Sequence, residues 1–377
     1  MSRRIRLLAG LLLTAVFLWI LARNIDLDEL NAAFRGADYR LVVPATAATF
    51  LGYLLRTLRW QRIIRPVAPL GFGDTFAVLM MGFAANNLLP ARLGEFVRAY
   101  LLSRKTGTRK TYGLATIILE RVCDGMVLIG LLGVVSLLMP LPVWGRDVQL
   151  VSSVLFIGAS VGIAAILLQE RFALQVLTLF LRPFPARVSE ALLRATGAFI
   201  SGLHSLKSRT SLSILILLSL CVWLLEASSY LLMTRSFGAW MPDATQILAA
   251  VFLMVVVNLG IMLPSAPGYV GTFQFFGVMA MGVFGISKET ALAIAISSHL
   301  MQYLLVTAIG LIFFAKENLA FWRFEEISAQ NPYENESSND HAMVEGMAAA
   351  AQLNVGIGEA RQNQFGVRTR REDAQKR

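Results

Sequence analysis

Asn87, Pro90, Arg92, Gly94, Glu95 and Arg98 fall within one short stretch, "NNLLPARLGEFVR", directly after an apolar run. A proline and a glycine this close break a helix and leave free backbone N–H groups at the start of the next one, where an anion is favoured. Arg92 and Arg98 add fixed positive charge, and the guanidinium fork matches two phosphate oxygens. Glu95 can pair with either arginine or with a protonated amine on a headgroup. A solvated loop followed by a surface helix is the plainer reading of the same residues. A second group, Glu120, Arg121 and Asp124, lies inside the apolar run "ILERVCDGMVL". Spacings of i, i+3 and i, i+4 let the three share one helical face. They read either as a charged lining for a headgroup path or as a network that locks helices together. Glu226, in "VWLLEASSYLL", has no charged neighbour in sequence, so it needs a partner from another helix or a proton of its own. His299 and Gln302 form an i, i+3 pair in "SSHLMQYLL". A lone histidine there is a packing residue more often than a proton carrier. "PSAPGYVGTFQ", residues 264–274, carries prolines and glycines but no charge, which suits close backbone approach or a hinge.

These groups must be held by membrane elements. The chain has 377 residues, 56% of them hydrophobic and 15% charged, and its mean hydropathy is +0.62. Apolar runs recur at 5–22, 41–55, 74–90, 111–138, 149–168, 211–233, 246–263, 268–284 and 288–315. A span needs about 20 apolar residues to cross about 30 Å of hydrocarbon. The composition therefore describes a polytopic membrane protein. The net charge of +10 sits between apolar runs, where it orients a membrane protein and meets anionic lipid, so no nucleic-acid partner is expected. The basic N-terminal run has no small-residue cleavage site after it and reads as a retained anchor. Cys123 and Cys221 lie in apolar runs, match no ligand spacing and form no disulfide framework. No Walker, Rossmann or zinc pattern occurs, so neither a nucleotide nor a metal cofactor is expected.

Charge sets the topology. Residues 56–73 hold Arg56, Arg59, Arg62 and Arg65, residues 91–110 are also basic, and residues 169–210 follow suit. The positive-inside rule puts all three connections in the cytoplasm. The run 74–90 then lies between two cytoplasmic segments, so it cannot cross once. It enters and returns, with a break near Pro90, as a re-entrant hairpin over 74–103. Irregular backbone at that depth is tolerated only where protein or a water-filled cavity covers it. Residues 246–284 supply a counterpart: Asn258 precedes Pro264 and Gly268 as Asn87 precedes Pro90 and Gly94. Each hairpin lies between two long spans, and the charges place the two on opposite sides. That is an inverted repeat, in which interrupted segments at matching positions mark a transport site. Two ordinary spans over 246–263 and 268–284 are the alternative. Both readings put the N- and C-termini in the cytoplasm. Trp60, after Arg56 and Arg59, reads equally as an interfacial aromatic or as part of a headgroup site. Residues 316–377 are polar and aperiodic, and read as a disordered tail.

"NNLLPARLGEFVRAYLL", "ERVCDG" and "PSAPGYVGTFQ", in that order and spacing, resemble the flippase-like membrane family named for the transmembrane region of lysylphosphatidylglycerol synthase. The resemblance covers residues 5–315. It implies a bacterial or archaeal inner-membrane protein that moves a lipid or lipid-linked group between leaflets. The family's polar positions fall on Asn87, Pro90, Arg92, Gly94, Glu95 and Arg98, then on Glu120, Arg121 and Asp124, then on Pro264, Pro267, Gly268 and Gly271. The last motif of the family often ends in glutamate. Gln274 stands there instead, which argues against a lysyl-lipid substrate.

The expectation is thus an all-α polytopic protein with six full spans and two opposed re-entrant hairpins around a polar cavity. Six to eight transmembrane helices result, depending on how the hairpins are counted. Arg92, Arg98 and Arg121 would hold the phosphate of a membrane lipid, while Glu95, Glu120, Asp124 and Glu226 balance charge. The expected activity is that of a lipid transporter rather than an enzyme, and without a soluble aminoacyltransferase domain no lysyl transfer is expected. Two alternatives stay open: an integral-membrane transferase acting on a lipid phosphate, with Glu226 or His299 as base, and a small-solute secondary transporter. A homo-oligomer also stays open.

Overall fold

The computed structural model describes residues 3–23, 25–89, 93–168, 209–238, 241–263 and 266–317, with isolated positions at 178, 181 and 189. The chain divides into two compact units, Met1–Glu325 and Glu326–Arg377, and all of these residues lie in the first. Eleven α-helices are described: α1 (Arg3–Ala22), α2 (Leu27–Gly36), α3 (Val42–Ile64), α4 (Phe72–Leu88), α5 (Gly94–Thr106), α6 (Lys110–Leu138), α7 (Val143–Leu168), α8 (Arg209–Ser236), α9 (Asp243–Gly260), α10 (Thr272–Gly282) and α11 (Lys288–Lys316). Helices are forced by the solvent: hydrocarbon offers no partner for backbone N–H and C=O, and a helix satisfies them within itself. Among the described residues, five helical stretches are long and apolar enough to cross a membrane: Tyr39–Ile64, Lys110–Leu138, Ser213–Ser236, Asp243–Gly260 and Lys288–Lys316. The protein is an all-α polytopic membrane protein. Apart from positions 178, 181 and 189, the connection 169–208 and the tail beyond 317 lie outside the described residues.

Two helix–break–helix hairpins organise the bundle. In the first, α4 and α5 fold back on each other so tightly that a Cβ on Gly94 would lie 2.0 Å from the Gly82 carbonyl oxygen. Its open end is tied by Lys105, whose Nζ reaches Asp74 Oδ1 at 2.8 Å and Glu317 Oε1 at 2.6 Å. The open end of α4–α5 therefore sits level with the C-terminal end of α11. In the second hairpin, α9 and α10 are joined through a short 3-10 turn, Pro267–Tyr269. Its open end meets the other end of α11. Arg235 at the end of α8 contacts Asp243 at 3.0 Å, and Glu289 near the start of α11 accepts from the Asp26 backbone N–H just before α2.

The tips of both hairpins meet beside the middle of α11. Asn87 at the end of α4 donates to Thr307 at 2.9 Å, and a Cβ on Gly268 would lie 3.2 Å from the Asn87 carbonyl oxygen. At about 1.5 Å per residue, α11 is roughly 43 Å long, so each hairpin spans about half of it.

The packing pattern is symmetric under the exchange of α3 with α8, α4 with α9, α5 with α10 and α6 with α11. Helix α4 packs on α11 as α9 packs on α6, α5 packs on α6 as α10 packs on α11, and α3 and α8 pack on each other. The self-paired helices run antiparallel: Asp38 pairs with Ser236, Thr49 with Ser229 and Arg59 with Ser219. A parallel repeat would make them parallel. The two halves are inverted.

Candidate functional site

Helices α3, α6 and α8 carry charge at their centres, and two sites result. The first is a closed network. Arg59 is fully buried; its Nη1 donates to Asp124 Oδ1 at 2.5 Å and Ser219 Oγ at 2.8 Å, and its Nη2 donates to Glu120 Oε1 at 2.8 Å. Glu120 takes a second arginine, Arg98 Nη2, at 2.6 Å. The Arg98 guanidinium lies over the Trp60 ring, 3.8 Å from its centroid, and the buried Trp60 indole donates to Thr116. These charges are matched and dry, so they lock α3, α5, α6 and α8 together.

The second is a cavity of about 160 Å³ beneath the two hairpin tips. Arg56, Glu95, Arg121, Asp124 and Glu226 line it, with Asn86 and Asn87 from the first hairpin and Asn258 and Tyr269 from the second. Aromatic rings from Tyr53, Phe83, Trp223, Phe273 and Tyr303 form much of the remaining wall. Arg56 makes two long ion pairs. Its guanidinium stands 3.8 Å from Asp124 and 3.8 Å from Glu226, over the Trp223 ring at 4.9 Å. Arg121 makes one contact among the described residues, Nε to Glu95 Oε1 at 3.2 Å, and its side chain is 32% exposed. Asp124 joins the two sites. It accepts from Arg59 and the Trp223 indole on one side and faces Arg56 on the other.

Several expectations are corrected. Arg98 and Glu120 do not line the cavity; they pair with each other inside the network. Glu120, Arg121 and Asp124 do not act as one face: Arg121 turns to Glu95, while Glu120 turns to Arg59 and Arg98. Gly94 serves close helix packing rather than a ligand. Trp60 is buried and not interfacial. Arg56 and Arg59 belong to α3 and are buried, so they do not contribute to a cytoplasmic loop. Asn87, Glu95, Arg121, Asp124, Glu226 and His299 do come together in the cavity. Glu226 finds its partner in Arg56, on another helix. Pro267, Gly268 and Gly271 shape the turn beside the cavity, and Gln274 hydrogen-bonds to His299 at 3.0 Å. Pro90, Arg92 and Pro264 lie outside the described residues. Sequence reasoning weighed Arg56 only beside Trp60, as one half of an open choice, and missed Tyr53, Trp223 and Tyr269. The signal for Arg56 and Arg59 was present: three carboxylates in apolar runs demand cations, and these arginines stand at i, i+3 beside one such run. Among the described residues no cluster of three or more His, Cys, Asp or Glu side chains could hold a metal.

Fold and site together define a polytopic membrane protein with inverted halves and a charged, aromatic-walled intramembrane cavity. Residues 7–310 match the family described as lysylphosphatidylglycerol synthase TM region, and the chain belongs to that family. It is 26% identical over 339 residues to a protein named Glycosyltransferase AglD from Haloferax volcanii, covering 82% of this chain and 54% of that one. The chain thus spans about half the length of that relative. A UPF0104 membrane protein from Methanothermobacter thermautotrophicus is 27% identical, covering 75% of this chain and 87% of its own length. UPF0104 membrane protein MJ1078 from Methanocaldococcus jannaschii is 26% identical, covering 61% of this chain and 92% of its own length. No solved structure matches the chain. The relative named as a glycosyltransferase overturns the expectation of a protein without enzymatic function.

Proposed function

We propose that the chain is an integral-membrane transferase acting on a lipid phosphate, with the cavity as its headgroup site. One observation carries this reading: two arginines with spare donor capacity share an intramembrane cavity with the carboxylate of Glu226. Ionisable groups at that depth mark functional sites by default. Arg121, held only through Nε among the described residues, has its two terminal nitrogens available for phosphate oxygens. Arg56 stands ready as a second cation. The relative's name supplies the group transferred, a glycosyl unit. In the step proposed, an acceptor hydroxyl gives its proton to Glu226 as its oxygen bonds to the anomeric carbon. The bond from that carbon to the lipid phosphate breaks, and the phosphate leaves with the electron pair, held by Arg121 and Arg56. Basic residues at the open end of the first hairpin, among them Arg104, Lys105 and Lys110, support a cytoplasmic position for that end under the positive-inside rule. The two hairpins then enter from opposite faces as re-entrant segments, and a phosphate-bearing lipid is the partner.

A second reading has its own support. Opposed hairpins meeting at a midplane site are the architecture of alternating access, which favours movement of the same lipid between leaflets. The two readings separate in proteoliposomes holding a lipid-linked sugar phosphate labelled in the sugar. Transfer moves label to the acceptor, also in detergent. Movement between leaflets leaves label on the lipid and needs a sealed bilayer. Glu226→Gln is expected to lower transfer by about 100-fold or more, the usual worth of a positioned base. Transfer that survives both Glu226→Gln and Arg121→Met would sink the site assignment.

A further inference from the structure

The turn of the second hairpin has an unusual backbone. Gly268, Tyr269 and Gly271 lie at φ 69°, 61° and 80°, and Tyr269 is the only non-glycine residue at positive φ among the described residues. Left-handed backbone is costly for a residue with a Cβ, and such outliers persist where the surroundings over-determine them, often at functional sites. Tyr269 lines the cavity.

A chain of side chains closes on this turn. The Gly271 backbone N–H donates to Gln274 Oε1 at 2.8 Å. A backbone N–H can only donate, so this contact settles which end of the amide is oxygen. Gln274 Nε2 must then donate to His299 Nδ1, 3.0 Å away. That ring nitrogen is an acceptor, and the imidazole proton sits on Nε2. Phe273 stacks on the imidazole, with centroids 4.5 Å apart and planes 9° from parallel. The donors run head to tail from Gly271 through Gln274 to His299. They tie Gly271, the last residue of the four-residue turn, to α11.

We infer that Gln274 and His299 are positioning residues that clamp this turn, and that the clamp presents Tyr269 to the phosphate-bearing headgroup. The second clause rests on the proposed headgroup site; the first does not. His299 thereby has its one lone pair taken by Gln274, which leaves Glu226 as the base. A glutamate at 274 would change the relay. Its carboxylate has no N–H to donate, so it favours a proton on Nδ1.

The test uses the full chain in nanodiscs with 15N-labelled histidine, with the His299 signals assigned by their loss in His299→Phe. The expected pattern at neutral pH is a bare Nδ1 and a protonated Nε2. Gln274→Glu is expected to protonate Nδ1. A wild-type ring protonated at Nδ1, or a pattern unmoved by Gln274→Glu, would overturn the clamp. Binding of a phosphate-bearing lipid is then measured by tryptophan fluorescence in vesicles that contain it, against vesicles without it. Tyr269→Ala is expected to weaken binding about tenfold. Wild-type binding by Tyr269→Ala would overturn the headgroup contact while leaving the proposed site intact. An absence of binding by the wild type would overturn the site and the contact together, and the histidine pattern would still decide the clamp.

Discussion

Arg59→Met tests the division of the charges into a structural network and a working cavity. Arg59 is fully buried and contacts Asp124, Glu120 and Ser219 from three sides. Methionine keeps much of the apolar stem but leaves Asp124 with the Trp223 indole and a guanidinium 3.8 Å away. Glu120 keeps Arg98. Breaking a buried pair from one side costs about 3–5 kcal/mol, because an uncompensated charge stays in a low-dielectric interior. Arg121 is the contrast. It is a third exposed and has one ion pair among the described residues, so Arg121→Met should cost about 1 kcal/mol or less. The assay is thermal unfolding of both variants in the same detergent, read as loss of the monodisperse peak. Arg59→Met should unfold at a much lower temperature than wild type, and Arg121→Met close to it. Adding Asp124→Asn to Arg59→Met should recover part of the loss by removing the stranded charge. Equal stability of the two single variants would refute the division, as would a double variant worse than Arg59→Met alone.

Gly94→Ala places a methyl 2.0 Å from the Gly82 carbonyl oxygen and should open the first hairpin. The expected loss is about 1–3 kcal/mol, read as a lower unfolding temperature. Lys105→Met should cost below about 1 kcal/mol and should raise protease cleavage near the α4–α5 open end. Partial burial disfavours the Lys105 ammonium, but the hydrogen bonds to Asp74 and Glu317 outweigh it and hold its pKa above the ordinary 10.5. A group raised on folding stabilises fully below its unfolded pKa. This contribution should be constant from about pH 6, where both carboxylates are ionised, up to pH 10.5 and disappear as pH rises further, so wild type and Lys105→Met should converge there in stability. Glu226→Gln keeps the side-chain shape, and its loss of transfer should come with an unfolding temperature close to wild type.

The helices were legible because hydrocarbon leaves the backbone little choice. Nearly every apolar run in the described region became a helix within a few residues of its expected bounds. The exceptions were amphipathic: α2 has too few apolar residues to read as a run, and α3 continues through Arg56 and Arg59 to Ile64. A linear reading stops an apolar run at its first arginine, and only a partner on another helix shows that the arginine is buried. Charge parity around 74–90 was enough to demand a chain reversal, because a segment with both ends on one side cannot cross once. Which charges work and which merely hold was not legible. Arg98 and Arg121, or Glu120 and Glu95, are alike in type and neighbourhood along the chain. Their roles separate only when α3 delivers Arg59 between Glu120 and Asp124 and leaves Arg121 facing open space. The clamp on Tyr269 was equally out of reach, since it depends on an imidazole from α11 arriving 3.0 Å from an amide on α10. The amino-acid order alone determined the solvent, the element type and the need for a reversal after residue 74, since these follow from local hydrophobicity and charge; for 246–284 it left two ordinary spans open. The assignment of each buried charge belonged to the tertiary structure, because the partner that neutralises it comes from a distant helix.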